Sequence, residues 1–475
     1  MSDLYGRPTP IANSCKAANG GWIATKVLAA CGVFTAILIW GAVNPYVQLT
    51  ALRFFQLALV AFAVWRMVVI VHAYRPAPTS PVLDLWPRYT VLVALYQEAR
   101  ILPQLVSNLS KLDYPTSQLE GFLLLEENDR DTIAVANSLR LPPWLTVVIV
   151  PEGSPKTKPR ALNYGLACAT GQYVTIYDAE DAPHPHQLKE AASRFADGPD
   201  NLACLQAPLR IRREHTGSRP TEILDKQFAA EYAGLFEIVL PGMARMNLPF
   251  PLGGTSNHFR ADVLRTVGGW DSFNVTEDAD LGFRLWRNGW RLDVISSPTW
   301  ETPPGGLSLW LPQRTRWLKG YMQTLAVHAF SKELGFKGHL ALTTTMLAGL
   351  LAASIHGYAL AGMGAVLLLS VAGQQLPAFE IGALAVFILG FAASWLTCIL
   401  GTRRIGTSYG IRDIAFAPLY WTLLTLAFIH ALVRLIFQPH AWDKTPHLPD
   451  VPLSDQQTPV IAPRYSSANA GRKAA

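Results

Sequence analysis

Tyr173-Val174-Thr175-Ile176-Tyr177-Asp178-Ala179-Glu180-Asp181 is a run of β-branched and aromatic residues that ends in a cluster of carboxylates. A stretch apolar at successive positions reads as a strand buried on both faces, the kind found in parallel sheets. Ligands of such sheets bind just beyond the carboxyl ends of the strands, where Asp178, Glu180 and Asp181 fall. Working outward, residues 90–94, 122–125 and 146–150 are similar short runs of Val, Ile, Leu and aromatics, and residues 98–112 carry helical periodicity. The alternation predicts a mostly parallel sheet with helices on both faces, an α/β domain over residues 76–337.

Hydrophobic blocks flank this domain. Half of the residues are apolar and only 16% are charged, fewer charges than the roughly 25% of soluble domains. Residues 27–43 lack charge, and residues 54–71 contain only Gln56 and Arg66 as strongly polar positions, Arg66 close enough to the end to snorkel. A cleaved signal peptide fits poorly, because the apolar core is long and a second block follows at once. Residues 1–75 are therefore expected to hold a cytoplasmic segment and two transmembrane helices. Residues 338–437 are expected to hold three or four more, with a break at His356-Gly357 allowing the fourth. Residues 438–475 form a tail, partly disordered by composition.

The net charge of +6 is spread along the chain with no basic run interleaved with aromatics, so nucleic acid is not an expected partner. Arg7, Lys16 and Lys26 before the first block, and Arg403, Arg404 and Arg412 between later ones, place those segments and the domain on the cytoplasmic side. Simple alternation then leaves the tail outside, unless the long block crosses twice or the last helix lies along the interface. Five cysteines without a C-x-x-C spacing suggest neither a disulfide framework nor a zinc site.

Crowded carboxylates repel unless a positive charge joins them. Mg²⁺ or Mn²⁺, held by one or two of Asp178, Glu180 and Asp181 and completed by substrate phosphates, meets that need; a solvated acidic turn before Pro183 is the plainer alternative. Lys156-Thr157-Lys158-Pro159-Arg160 concentrates cations that suit a pyrophosphate, or forms an ordinary exposed turn. Thr276-Glu277-Asp278 opens a helix over residues 277–288, as a helix cap or with Glu277 or Asp278 as a general base. Gln313-Arg314-Thr315-Arg316-Trp317 lies on a helix near 311–330, where Arg and Trp suit both an interfacial helix and contacts to a diphosphate and a sugar ring.

In this order and between these helices, the segments resemble the processive family-2 glycosyltransferases, the cellulose and hyaluronan synthases and related bacterial exopolysaccharide synthases. The resemblance covers residues 89–325 and implies a GT-A-type domain inserted between transmembrane helices of the bacterial inner membrane. It implies an inverting hexosyltransferase using a nucleotide sugar, by default a uridine nucleotide, and Mg²⁺ or Mn²⁺. By the same resemblance Tyr96, Glu98, Glu126, Glu127, Lys158, Asp178 and Arg316 contact the donor, and Asp178 and Glu180 or Asp181 hold the metal. Asp278, with Glu277 beside it, is the catalytic base, and Gly254, Thr255, Gln313 and Trp317 face the acceptor. Ala94, Gln97, Glu126-Glu127 and Glu180 stand where the family commonly has Pro, Asn, an Asp pair and Asp; Glu keeps the charge and ligand type.

The expected activity is processive synthesis of a polysaccharide, with export or regulatory proteins as possible partners. The alternative is transfer of a single sugar to a lipid-linked acceptor. A transporter fits less well, because residues 340–379 contain no acid or base apart from His356 and Glu380 follows only beyond them. A scaffold whose acidic loops are structural belongs with that less favoured reading, and an inactive regulatory homologue would not need Asp178, Asp278 and Arg316 all intact.

Overall fold

The computed structural model describes residues 44–76, 81–212, 221–374 and 378–441, and scattered positions between 25 and 43. Most of the first apolar block, Cys15, Cys31 and the tail from 442 lie outside the described residues.

A long helix, α1 (Pro45–Ala73), leads into alternating strands and helices: β1 (Tyr89–Leu95), α2 (Leu102–Leu109), β2 (Leu119–Glu126), α3 (Arg130–Ser138), β3 (Leu145–Val150), α4 (Lys158–Cys168) and β4 (Tyr173–Tyr177). There follow β5 (Ala182–Pro183), α5 (Gln187–Asp197), β6 (Leu202–Gln206), β7 (Leu209–Ile211), α6 (Thr221–Gly234) and, after a π-helical turn at Leu235–Val239, α7 (Leu240–Arg245). The domain closes with β8 (Asn257–Arg260), α8 (Ala261–Thr266), α9 (Glu277–Arg287), β9 (Arg291–Val294), β10 (Thr299–Glu301) and α10 (Leu307–His328). The last helices are α11 (Gly335–Leu342), α12 (Ala348–Val371), α13 (Ala378–Arg404) and α14 (Ile411–Phe437).

The main sheet has the order β3-β2-β1-β4-β8-β6-β9. Its pairs are parallel except at β8, which runs antiparallel to both β4 and β6. Along β1, Leu92 joins the core on one face while Val91, Val93 and Leu95 join the core on the other. That double burial is why the strands read as continuous apolar runs. A second sheet, β5-β10-β7, sits beside the acidic turn after β4.

Among the described residues, three helical runs are long and apolar enough to cross a membrane: Pro45–Ala73, Lys332–Val371 and Ile411–Phe437. The second passes through His356-Gly357 without a break. Gly357 is a packing position instead, its N–H donating to Thr425 Oγ1 of α14 at 2.9 Å, and the irregularity falls earlier, at a π-helical turn over Thr343–Leu347. The described residues of 338–437 include three long helices, α12, α13 and α14.

The domain grips these helices. A Cβ on Gly401 of α13 would sit 2.4 Å from the Ala233 backbone, so only glycine allows that approach. Helix α14 is tied to the domain along its length. Gln227 donates to Asp413 O at its start (2.7 Å), Arg314 to Tyr420 Oη midway (3.0 Å), and Lys319 to Gln438 O and Ala441 O at its end (3.1 and 2.8 Å). Its other side exposes Leu419, Leu426, Ile429, Val433 and Ile436, an apolar flank turned outward.

Candidate active site

A cavity of about 310 Å³ opens beyond the carboxyl ends of β1, β2 and β4. Each strand delivers polar groups to it as it ends, Tyr96 and Glu98 after β1, Glu126 at the last position of β2, and Asp178 and Glu180 after β4. Glu126 is buried and held by Arg160, which also donates to Pro151 O at 2.8 Å. Glu127 does not reach the cavity wall: it is exposed and accepts the Glu152 N–H at 3.3 Å. Glu127 lies one residue past the end of β2, in the turn that leads to α3, and its side chain is turned away from the cavity. The Lys156 ammonium lies 5.2 Å from the centre of the Tyr96 ring.

The acidic turn divides its labour. Asp178 is paired with Lys158, whose Nζ also donates to Gly254 O at 2.7 Å. Burial alone would lower the Lys158 ammonium, but Asp178, Glu277 and Asp181 outweigh it and hold its pKa above the ordinary value. Glu180 lines the cavity. Asp181 does not; it is fully buried, and its Oδ2 accepts the Asp178 N–H at 2.7 Å and the Thr255 hydroxyl. Burial, with Asp178 and Glu180 nearby, pushes the Asp181 carboxyl well above its usual range. It shapes the turn from beneath. Glu301, at the end of β10, carries no signal in the sequence, yet it joins the wall, and burial followed by Asp181, Glu180 and Asp178 raises its pKa as well.

The opposite wall comes from the loop Gly253-Gly254-Thr255, the start of α9 and one side of α10. Gly320 sets the distance between the last two, because a Cβ there would lie 2.3 Å from Thr276 Oγ1. That close approach brings Gln313, Arg316 and Trp317 to the cavity that also holds Glu277 and Asp278. Gln313 Oε1 is buried there without a hydrogen-bond partner. Burial and then Asp278 raise the Glu277 carboxyl to about 8, against the pull of Lys158 and Arg316. Asp278 is raised by burial in the same way, while the Ala279 N–H, donating to its Oδ1 at 2.7 Å, works against the shift. Arg314, two residues before Arg316, is spent on structure, forming a two-pronged pair with Glu231 at 2.9 and 2.6 Å and lying 4.5 Å from the Trp317 ring centre.

Seven carboxyl groups and three cations line this cavity: Glu98, Glu126, Asp178, Glu180, Glu277, Asp278 and Glu301 against Lys156, Lys158 and Arg316. Burial first and neighbouring carboxylates second raise Glu277 and Glu301 within that excess. Groups perturbed by burial and like charge in a cleft are suited to proton transfer and to cation binding. Among the described residues, no three His, Cys, Asp or Glu side chains converge into a ready-made metal cage.

Residues 87–320 match the family model described as Glycosyltransferase like family 2. This domain belongs to glycosyltransferase family 2. The family-2 domain is 28% identical over 246 residues to the β-monoglucosyldiacylglycerol synthase of Synechocystis, an alignment covering 50% of this chain and 48% of that protein. It is 25% identical over 246 residues to the poly-β-1,6-N-acetyl-D-glucosamine synthase of Staphylococcus aureus, covering 51% and 56%. It is 24% identical over 285 residues to cellulose synthase 2 of Novacetimonas hansenii, covering 57% of this chain and 17% of that one. The chain spans about half the length of the first curated relatives it matches. Among solved structures, the mannosyltransferase PcManGT of Pyrobaculum calidifontis, in complex with GDP-Man and Mn²⁺, superposes with a TM-score of 0.52 at 20% identity, covering 81% of this chain and 99% of that chain. The family-2 domain has the GT-A-like fold.

Proposed function

We propose that the family-2 domain transfers a sugar from a nucleoside diphosphate sugar, by default a uridine one, to a growing polysaccharide, with inversion at the transferred carbon. The observation that carries this reading is the Glu277-Asp278 pair, walled into the same cavity as Lys158, Arg316 and the acidic turn. A sugar hydroxyl is a weak nucleophile, so a carboxylate within hydrogen-bond reach must take its proton as the new bond forms. Asp278 does this. Glu277, protonated near neutral pH, keeps a second negative charge away from it. Tyr96, Glu98 and Glu126 hold the nucleoside end, Lys158 and Arg316 face the diphosphate, and Gly254, Thr255, Gln313 and Trp317 hold the acceptor. Trp317 gives the acceptor sugar a flat apolar face.

The residues fit a divalent cation. Mg²⁺ is characteristically bound through one or two carboxylates with substrate phosphates completing the shell, and Asp178 and Glu180 supply such a pair, without Asp181. Bound Mg²⁺ or Mn²⁺ would neutralise the leaving diphosphate in a cavity otherwise too acidic to admit it.

A second reading, transfer of one sugar to a lipid acceptor, draws on the apolar wall of Tyr232, Leu235, Phe236 and Leu252 and on the glucosyldiacylglycerol synthases among the relatives. For either reading, the ends of α1 and α13 that meet the domain carry Arg75, Arg403 and Arg404, which supports a domain at the cytoplasmic face of the inner membrane. In the same reading α14, tied to the domain along its length, lies in the interface with both of its ends at that face. Purified protein in lipid, supplied with a panel of labelled nucleotide sugars and Mn²⁺, is expected to build a long polymer. A single sugar on lipid supports the second reading, and no incorporation from any donor contradicts both.

A further inference from the structure

A second cavity, of about 290 Å³, lies where α1 and α13 leave the domain, and five of its lining residues are arginines: Arg75, Arg194, Arg210, Arg245 and Arg404. Carboxylates offset only part of this charge. Asp293 is shared by Arg194 (2.5 Å) and Arg245 (3.2 Å), and Glu237 takes Arg210 (2.8 Å). Glu190, on the wall, accepts the backbone N–H groups of Ser296 and Ser297 at 2.7 and 2.8 Å. Among the described residues Arg404 donates to carbonyls, Ala73 O at 2.7 Å and Glu237 O, with its guanidinium 4.4 Å from the Tyr74 ring centre. Arg75 is exposed at the rim and forms no salt bridge among the described residues. The Nε atoms of Arg194 and Arg245 are buried without a hydrogen-bond partner among the described residues.

We infer that this cavity binds the phosphate of an anionic lipid headgroup. Its surplus of guanidinium matches a phosphate, which arginine grips through paired N–H groups. Its place at the ends of two apolar helices is where the headgroups of the cytoplasmic leaflet lie, and basic pockets of that kind recognise anionic lipids. The cavity also touches the first one. Phe236 lines both, and the neighbours Leu209 and Arg210 line one each. A bound headgroup therefore braces the Leu235–Val239 turn that walls the sugar-transfer cavity.

Native mass spectrometry of the full chain, delipidated in neutral detergent and offered phosphatidylglycerol or phosphatidylcholine of the same acyl chains, tests the assignment. The wild type is expected to retain phosphatidylglycerol in preference. Arg75→Gln, which removes no salt bridge, should weaken retention about fivefold, and Arg75→Gln with Arg404→Gln about twentyfold or more. Arg403→Gln is the control, because Arg403 carries the same charge next door but does not line the cavity. Equal retention of the two lipids overturns the inference, as does an unchanged Arg75→Gln or an equal loss in Arg403→Gln. Displacement of phosphatidylglycerol by millimolar inorganic phosphate also overturns it, in favour of a soluble anion.

Discussion

Asp278 and Asp280 stand two residues apart on α9 and lead opposite lives. Asp280 is fully buried; burial would raise its pKa, but Arg284 at 2.9 Å and His328 at 2.8 Å outweigh it and hold the carboxyl at about 2. Asp278 faces the cavity beside Glu277, and both are raised. Helix α10 repeats the contrast, with Arg314 locked to Glu231 and Arg316 turned to the cavity. What separates structure from chemistry in these two pairs is where the charge points: Asp280 and Arg314 are turned into the fold against their partners, and Asp278 and Arg316 are turned to the cavity, where a substrate can meet them.

Four outcomes sharpen that comparison. The largest concerns the acidic turn: a chelator, or Asp178→Asn, is expected to lower sugar transfer by at least about 10⁴-fold, with Mn²⁺ restoring only the chelated wild type. Unchanged turnover after exhaustive chelation would remove the cation from the account. Next comes Asp280→Ala, which strands Arg284 and His328 in the core and should cost about 3–5 kcal/mol, read by thermal melting in detergent. Because the Asp280 pKa is depressed when folded, its contribution is present above the unfolded value and is lost as pH falls from about 4 to about 2. A melting temperature of the wild type that is flat through that window, beyond what Asp280→Ala shows, would contradict this.

Arg316→Ala should lower turnover by about 10²–10³-fold with little change in melting, whereas Arg314→Ala should do the reverse. Equal effects on both measurements from the two variants would erase the contrast on α10. Smallest is Glu277→Gln. A carboxyl raised to about 8 when folded contributes most below its unfolded pKa near 4.5 and loses that contribution as pH rises to about 8. The variant should therefore gain stability relative to wild type as pH rises from about 4.5 to about 8, read by thermal melting in detergent, and a difference between the two that does not change over that range would contradict this.

Much of the fold and of the site is legible in the amino-acid sequence. The strand at Tyr173–Tyr177 has the bounds expected from its apolar run, and β1, β2 and β3 differ by a few residues at their ends. Asp178, Asp278 and the Arg316-Trp317 pair, far apart along the chain, line one cavity. What the sequence hides has a common cause in tertiary context. Asp181 resembles a ligand because its neighbours do, but its role is decided by Thr255, 74 residues away. Glu301 sits on a three-residue strand, too short for any periodicity. Glu127 matches by residue type but lies just past the end of β2, in an exposed turn that does not line the cavity. Hydropathy marks α14 as apolar and is blind to Tyr420, His430 and the carbonyls beyond Phe437 that bind it to α10.

The central claim is that Asp278 acts on the proton of the acceptor and not on the binding of the donor. Asp278→Asn, purified in lipid with Mn²⁺, separates the two when donor affinity and turnover are measured on the same preparation. The account predicts donor affinity within about twofold of wild type and turnover lower by about 10²–10⁴-fold. Wild-type turnover in the variant, with donor affinity intact, would contradict it.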